Sequence, residues 1–365
     1  MADRVLRVGV LGQGRSGFDI HCAWLRKDPE KFRIVAAADL LPERRAQAEA
    51  ELGAKAFRDY RTLLADRSLA LDLVVNALPS HLHPPATIEA LDAGHNVVCE
   101  KPLARTVKDF DRMVAAARRN RRTLLPFQNS RFMPAFRKIQ EVIASGKLGR
   151  IVHIRLSYSG FARRWDWQTC QELWGGNLLN TGPHPMDHAV VLFGERRPKV
   201  SAKLLSDNPY GDAENFALVT LTGKDAPTIE VAVSSFLAYP QGDTFSVNGT
   251  LGGLAGGASA LRWKYFDPAK APSHPKFHGQ WSDKRQYCHE ELPWIEEQWQ
   301  NDPSDVFAQT SPAYYGNVYD ILVNGAPRVI TLEQVRRQMA VMEEAHRQNP
   351  MPRMQRRFVK RGGRS

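Results

Sequence analysis

Apolar residues change period about one third of the way along this chain, and the change divides it in two. Near the start, Val8-Gly9-Val10-Leu11, Ile34-Val35-Ala36-Ala37-Ala38 and Leu71 to Leu78 are apolar at almost every position. Such continuity marks strands covered on both faces, as in a parallel sheet layered between helices. Helical segments fall between them. Pro42 to Leu52 carries proline in its first turn and Gly53 just past its end. Pro84 to Ala93 is closed by Gly94, Asn96 to Cys99 reads as another strand, and Thr106 caps a helix running to about Arg119. The alternation predicts a doubly wound α/β sheet over residues 1–126.

Beyond a helix from Pro134 to Ser145, closed by Gly146, the period shortens to two. Ile151 to Ser157, Val200 to Leu205, Phe216 to Leu221, Ile229 to Ser235 and Phe245 to Thr250 alternate apolar and polar residues. That pattern belongs to an antiparallel sheet with one face buried. Gly249-Thr250-Leu251-Gly252-Gly253 reads as turns or bulges, and Thr331 to Arg347 as a final helix. A C-terminal α+β domain with a large, mostly antiparallel open sheet is therefore expected over residues 127–352. A basic tail, 353–365, follows and is expected to be partly disordered.

Composition narrows the class. With 365 residues and 43% apolar content the chain can fill two cores. Cys22, Cys99, Cys170 and Cys288 show no paired spacing and read as reduced thiols. Neither a signal peptide nor an apolar run of membrane length is apparent, so the expected location is the cytoplasm, away from membranes. The net charge of +11 concentrates in Arg118-Arg119-Asn120-Arg121-Arg122, past a helix end, and in the tail. No nucleic-acid motif or interleaved aromatic residue accompanies it, so a solvated surface is expected and no nucleic-acid partner.

The first strand runs into Gly12-Gln13-Gly14-Arg15-Ser16-Gly17, and the second ends on Asp39, 22 residues after Gly17. This is the layout of a dinucleotide site in a Rossmann domain. Gly12 allows the tight turn, Gly14 lets backbone approach a pyrophosphate, and Gly17 lets the helix pack on the strand. The pyrophosphate belongs on free N–H groups at the helix N-terminus. Asp39 suits the ribose hydroxyls of NAD and repels the extra phosphate of NADP, so NAD is expected and NADP disfavoured. Arg44 and Arg45 read as a solvated helix face.

Two more segments carry chemistry. Val97-Val98-Cys99-Glu100-Lys101-Pro102 places a lysine at the end of a parallel strand, where doubly wound sheets bind ligands. Gly175-Gly176-Asn177-Leu178-Leu179-Asn180-Thr181-Gly182-Pro183-His184 leads a glycine pair to a histidine. With the dinucleotide motif, Ser145-Gly146-Lys147-Leu148-Gly149 and Val329-Ile330-Thr331, the chain resembles the glucose-fructose oxidoreductase and inositol dehydrogenase (Gfo/Idh/MocA) family along nearly its whole length. The resemblance implies that Lys101 contacts the reacting hydroxyl and the nicotinamide ribose, with a cis bond before Pro102, and that His184 is catalytic. It implies cofactor contacts from Gly12, Gln13, Gly14, Arg15, Ser16, Asp39, Leu78, Pro79, His83, Glu100, Lys101 and Gln128, and a homo-oligomer, dimer or tetramer. A neutral imidazole is the base expected near pH 7, and a lysine cation stabilises a developing alkoxide.

The sequence departs from that pattern at Asn180, where an aspartate is expected. An amide orients a hydroxyl but takes no proton, which shifts the work to His184, Lys101 or Asp187. His184, Asp187 and His188 share the spacing of metal ligands, but Pro183 and Pro185 disturb that helix and no metal is expected. Phe161-Ala162-Arg163-Arg164-Trp165-Asp166-Trp167 and Tyr314-Tyr315 suit a polyhydroxylated ring, whose C–H face is apolar and rim polar. Arg131, Trp165, Asp166, Asn180, Asp187, His188 and Tyr315 are thus the expected substrate contacts, for a sugar or glycoside. Oxidation of a secondary hydroxyl is the expected activity. The alternatives are an NAD-dependent glycosidase working by transient oxidation and elimination, and a non-catalytic sensor of NAD and sugar.

Overall fold

A computed structural model describes residues 4–239, 242–274, 289–302 and 306–353. The first sheet comprises β1 (Leu6–Leu11), β2 (Phe32–Ala38), β3 (Lys55–Phe57), β4 (Leu73–Asn76), β5 (Asn96–Cys99) and β6 (Leu124–Pro126). Its order is β3-β2-β1-β4-β5-β6, with every neighbouring pair parallel. The strand order reverses between β1 and β4, and a crevice opens beyond the carboxyl ends of those strands. The segment after β1 opens on a π-type helical turn, Ser16–Cys22, whose wide winding carries His21 inward to full burial.

The second sheet comprises β7 (Ile151–Ser157), β8 (Lys199–Leu205), β9 (Phe216–Thr222), β10 (Thr228–Ser234), β11 (Phe245–Gly249), β12 (Gly252–Gly256), β13 (Ala260–Tyr265) and β14 (Ile295–Gln300). Its order is β14-β13-β12-β11-β7-β10-β9-β8, antiparallel except for β7 with β10. Ile154, Leu156, Val219, Leu221, Ile229 and Val231 point from one face into a core shared with helices Pro134–Ala144, Pro183–Phe193 and Leu332–Gln348. The glycine-rich run is a turn only in part: the register shifts at Gly249 and Thr250-Leu251 makes the turn between β11 and β12, but the glycines after it are strand. Gly252–Gly256 is a paired strand between β11 and β13, because ladder hydrogen bonds with both neighbours outweigh the weak strand preference of glycine. At Gly252 an added Cβ would lie 2.1 Å from the Lys264 carbonyl oxygen, so only glycine admits that close strand.

The two cores do not divide at residue 126. Helix Val306–Tyr319 returns to the parallel sheet, and Tyr314, Tyr315, Val318 and Tyr319 join its core with Ile330, Val335 and Met339. An interval of 127–352 for the second domain therefore describes its sheet, while the C-terminal helices belong partly to the first core. Cys22, Cys99 and Cys170 are free thiols; Cys288 and most of the basic tail lie outside the described residues. Among the described residues no helix is long and apolar enough to cross a membrane.

Candidate active site

A cleft of about 600 Å³ lies over the switch point. Gly12, Gly14, Arg15, Ser16, Asp39, Leu78 and Pro79 line it. The three glycines differ physically. Gly12 has φ +86°, and a Cβ there would meet the Ala77 carbonyl oxygen at 2.6 Å. A Cβ on Gly17 would lie 1.8 Å from the Gly12 oxygen. At Gly14 nothing comes nearer than Arg44 Nη1 at 3.7 Å, which leaves open the floor a pyrophosphate requires. Asp39 accepts the backbone N–H of Gln13 at 2.8 Å and that of Leu41 at 2.9 Å. The Gln13 side chain turns inward to the Gly12 carbonyl, so it is the backbone of Gln13 that serves the turn.

Arg44 and Arg45 depart from the expected solvated face. Arg44 lines the cleft with its guanidinium 3.4 Å from Asp39, and Arg45 donates to the carbonyls of Asp39 and Leu40. The Asp39 carboxylate therefore already has a cation beside it.

At the other end of the cleft lie Glu100, Lys101 and Asn180. The Lys101–Pro102 bond is cis. Lys101 Nζ donates to the main-chain carbonyl of Asn180 at 2.9 Å, so the anchor is indifferent to the residue at 180. Burial holds the Lys101 ammonium below its usual pKa, against the opposing pull of Glu100. Burial also pushes the His184 imidazole down to about 3, helped by the nearby Lys101 charge, so the ring is neutral at pH 7. His184 Nδ1 is buried with no hydrogen-bond partner.

Glu100 is held by a residue the sequence gave no reason to single out. Its carboxylate accepts the Lys101 N–H at 2.9 Å and lies 3.3 Å from His21 Nε2, whose Nδ1 is 2.6 Å from the Tyr315 hydroxyl. Burial opposes ionisation of Glu100, but His21, Lys101 and His83 outweigh it and hold the pKa at about 2. Tyr315 is thus a correction: it is 1% exposed in the first core, behind Glu100, and does not face the cleft. His83 lines the cleft edge with both ring nitrogens on carbonyls, Pro102 at 2.7 Å and Leu78 at 2.8 Å. It stitches the loop after β4 to the cis Lys101–Pro102 peptide.

Three other expected substrate contacts are internal. Arg131 and Asp187 form a two-pronged ion pair, 2.7 and 2.6 Å, with side chains 5% and 1% exposed. A carboxylate held this way is unavailable as a substrate ligand or base. His188 Nε2 donates to the Ser130 carbonyl at 3.0 Å, and the ring stacks on Phe136 at 3.8 Å. Gln128 donates to Gln338, which donates to the Pro183 carbonyl beside His184, so it supports the helix that carries His184 from behind. Among the described residues no group of three or more His, Cys, Asp or Glu side chains is placed to hold a metal. Trp165 is 80% exposed, outside the cleft. Asp166 does line the cleft, together with Arg164, Trp167 and Gln168.

Glu214 is a second residue missed from the sequence. Its buried carboxylate accepts the Leu178 N–H at 3.1 Å, and its main-chain oxygen accepts that of Asn177 at 2.8 Å. A Cβ on Gly176, φ +113°, would fall 2.2 Å from that carboxylate. The glycine pair thus lets a buried acid pin the turn Asn177–Asn180, which delivers the Asn180 carbonyl to Lys101.

Two family models match along the chain: the NAD-binding Rossmann fold of an oxidoreductase family over residues 6–127, and the GFO/IDH/MocA C-terminal domain over 136–255. The chain belongs to the GFO/IDH/MocA oxidoreductase family. It is 32% identical over 209 residues to an oxidoreductase of Schizosaccharomyces pombe, a match spanning 55% of each chain. It is 29% identical to levoglucosan dehydrogenase of Pseudarthrobacter phenanthrenivorans over 67% of each chain. With scyllo-inositol 2-dehydrogenase (NADP(+)) of Bacillus subtilis the identity is 27%, over 61% of this chain and 69% of the other. The fold matches an NAD-binding protein from Listeria innocua, TM-score 0.76 at 22% identity, over 96% of this chain and 100% of the other. It also matches GenD2 from gentamicin A biosynthesis in complex with NAD, TM-score 0.73 at 19% identity, over 98% of each chain.

Proposed function

We propose that the protein is an NAD-dependent dehydrogenase acting on a secondary hydroxyl of a sugar or glycoside, with Lys101 and His184 as its catalytic residues. The observation that carries the reading is a half-buried lysine at the cleft, Lys101, fixed on the main-chain carbonyl of Asn180, four residues before an imidazole, His184, whose buried Nδ1 lacks a hydrogen-bond partner. A hydroxyl presented there must lose its proton as it is oxidised, and the neutral ring of His184 is able to accept it. The Lys101 cation stabilises the oxygen as negative charge develops. When bound, the nicotinamide supplies the hydride acceptor. Open space at Gly14 and the two acceptor oxygens of Asp39 fit such a dinucleotide, and Asp39 favours NAD over NADP. Two of the dehydrogenase relatives are named for inositols and one for levoglucosan, which supports a polyhydroxylated ring as substrate.

The test is incubation with NAD and a panel of sugars and glycosides. Net NADH formation is the expected result. Release of an aglycone without net NADH would favour transient oxidation and elimination, the second reading that Asn180 in place of an acid keeps open. Sugar binding with no turnover would replace the enzyme by a sensor.

A further inference from the structure

Glu100 lines the catalytic end of the cleft and is buried, and its two carboxylate oxygens have different neighbours. Oε2 accepts the Lys101 main-chain N–H at 2.9 Å, while Oε1 faces His21 Nε2 at 3.3 Å. An ionised carboxylate only accepts, so Nε2 carries the hydrogen between them. On the far side of the ring, Nδ1 lies 2.6 Å from the Tyr315 hydroxyl, and Phe127 packs on the ring with centroids 4.3 Å apart. The row Tyr315, His21, Glu100 thus joins three distant segments: the returning helix Val306–Tyr319, the π-type turn Ser16–Cys22 and the end of β5. Single turns of π winding recur at functional positions.

The other titratable groups around this carboxylate are engaged elsewhere or uncharged. The Lys101 ammonium donates to the Asn180 carbonyl, His83 has both ring nitrogens on carbonyls, and the Tyr314 hydroxyl donates to the Pro126 carbonyl at 3.0 Å. Burial keeps the Cys99 thiol and the His184 imidazole neutral at pH 7. Among the described residues, His21 is therefore the side chain that offers Glu100 a polar hydrogen.

We infer that His21 is a positioning residue for the reaction: it keeps the Glu100 carboxylate fixed and charged beside Lys101, and so sets the pH range in which the Lys101 ammonium persists. The consequence for turnover rests on the dehydrogenase reading above. Without His21 the carboxylate is left buried with one main-chain donor, an arrangement that favours the protonated acid. The Glu100 charge opposes the burial that lowers the Lys101 pKa, so its loss lets Lys101 shed its proton at lower pH. Stabilisation of the developing alkoxide then fails from the alkaline side.

The experiment uses the full-length protein and three substitutions. His21→Leu removes the donor, His21→Gln retains an N–H in its place, and Glu100→Gln fixes the uncharged state. Infrared spectra at pH 7 read the carboxyl without turnover. His21→Leu should show the C=O stretch of a buried protonated acid, absent from the wild type and lost again when Glu100→Gln is added. In pH–rate profiles with NAD and a sugar substrate, the alkaline limb of kcat should move down by roughly one pH unit or more in both His21→Leu and Glu100→Gln, as expected for one lost opposite charge nearby. His21→Gln should keep the limb close to that of the wild type. No acid band in His21→Leu, or a limb that moves in Glu100→Gln but not in His21→Leu, would overturn the inference and leave the dehydrogenase reading standing. So would a His21→Gln protein that behaves as His21→Leu does, which would make the ring a packing group. A wild type without turnover on any sugar overturns both.

Discussion

Three residues, Lys101, Asn180 and Gly176, make separable predictions. Lys101→Ala should abolish turnover while NAD binding stays within a small factor, because the ammonium serves the oxygen of the substrate rather than the pyrophosphate; wild-type turnover would remove it from the mechanism. Asn180→Asp leaves the Lys101 anchor intact, since that anchor is a main-chain carbonyl. A carboxylate there raises the His184 pKa from about 3, so the acid limb of kcat should move to higher pH, as read from pH–rate profiles of both proteins. An acid limb in the same place would separate residue 180 from the base. Gly176→Ala drives a methyl into the Glu214 carboxylate and should cost about 1–3 kcal/mol in a denaturant melt, with kcat falling more than NAD affinity. A variant as stable and active as the wild type would mean Glu214 does not pin the turn.

At the scale of elements, the cofactor end is decided by how β2 and the helix after it meet. The carboxylate at the end of β2 receives backbone donors from the glycine turn, while helix Pro42–Leu52 leans Arg44 back over it. Asp39→Ser should weaken NAD and improve relative use of NADP, because it removes the repulsion of the extra phosphate and frees Arg44 to meet it. Asp39→Ser combined with Arg44→Ala should lose that gain. Cofactor KM values for the two variants check the pair; an unchanged preference in both would place the discrimination elsewhere.

For the whole molecule, burial of titratable rings sets acid tolerance. His188 is fully buried, and burial holds its pKa near 4, whereas an unfolded histidine titrates near 6.5. The unfolded chain therefore binds the proton first, and stability falls as pH drops below about 6.5 until the folded group titrates as well. At pH 5 this one ring should cost about 2 kcal/mol relative to pH 8. Urea melts at both values check it, and His188→Gln should flatten the dependence by that amount. The return of helix Val306–Tyr319 to the first core has its own consequence: a fragment of residues 1–126 leaves the docking surface of Tyr314 and Tyr315 bare. It should lack the cooperative melt of the full chain, and a sharp transition of equal midpoint would show that the helix is dispensable.

The sequence by itself determined the parallel sheet, the dinucleotide turn and the acid beyond it, because these rest on local rules: continuous apolar runs, glycines where a Cβ has no room, a carboxylate at a strand end. Lys101 and His184 were singled out not by such local rules but by the family resemblance that the segments around them carry. The internal ion pair of Arg131 with Asp187, the stacking of His188 and the burial of Tyr315 were not legible. Each depends on a partner 52 or more residues away, and a polar side chain reads the same in sequence whether it faces solvent, substrate or a buried counterion. For the same reason only the tertiary structure placed His21 behind Glu100 and Glu214 beneath Gly176, and only strand pairing turned the glycine run at 252–256 into part of the sheet.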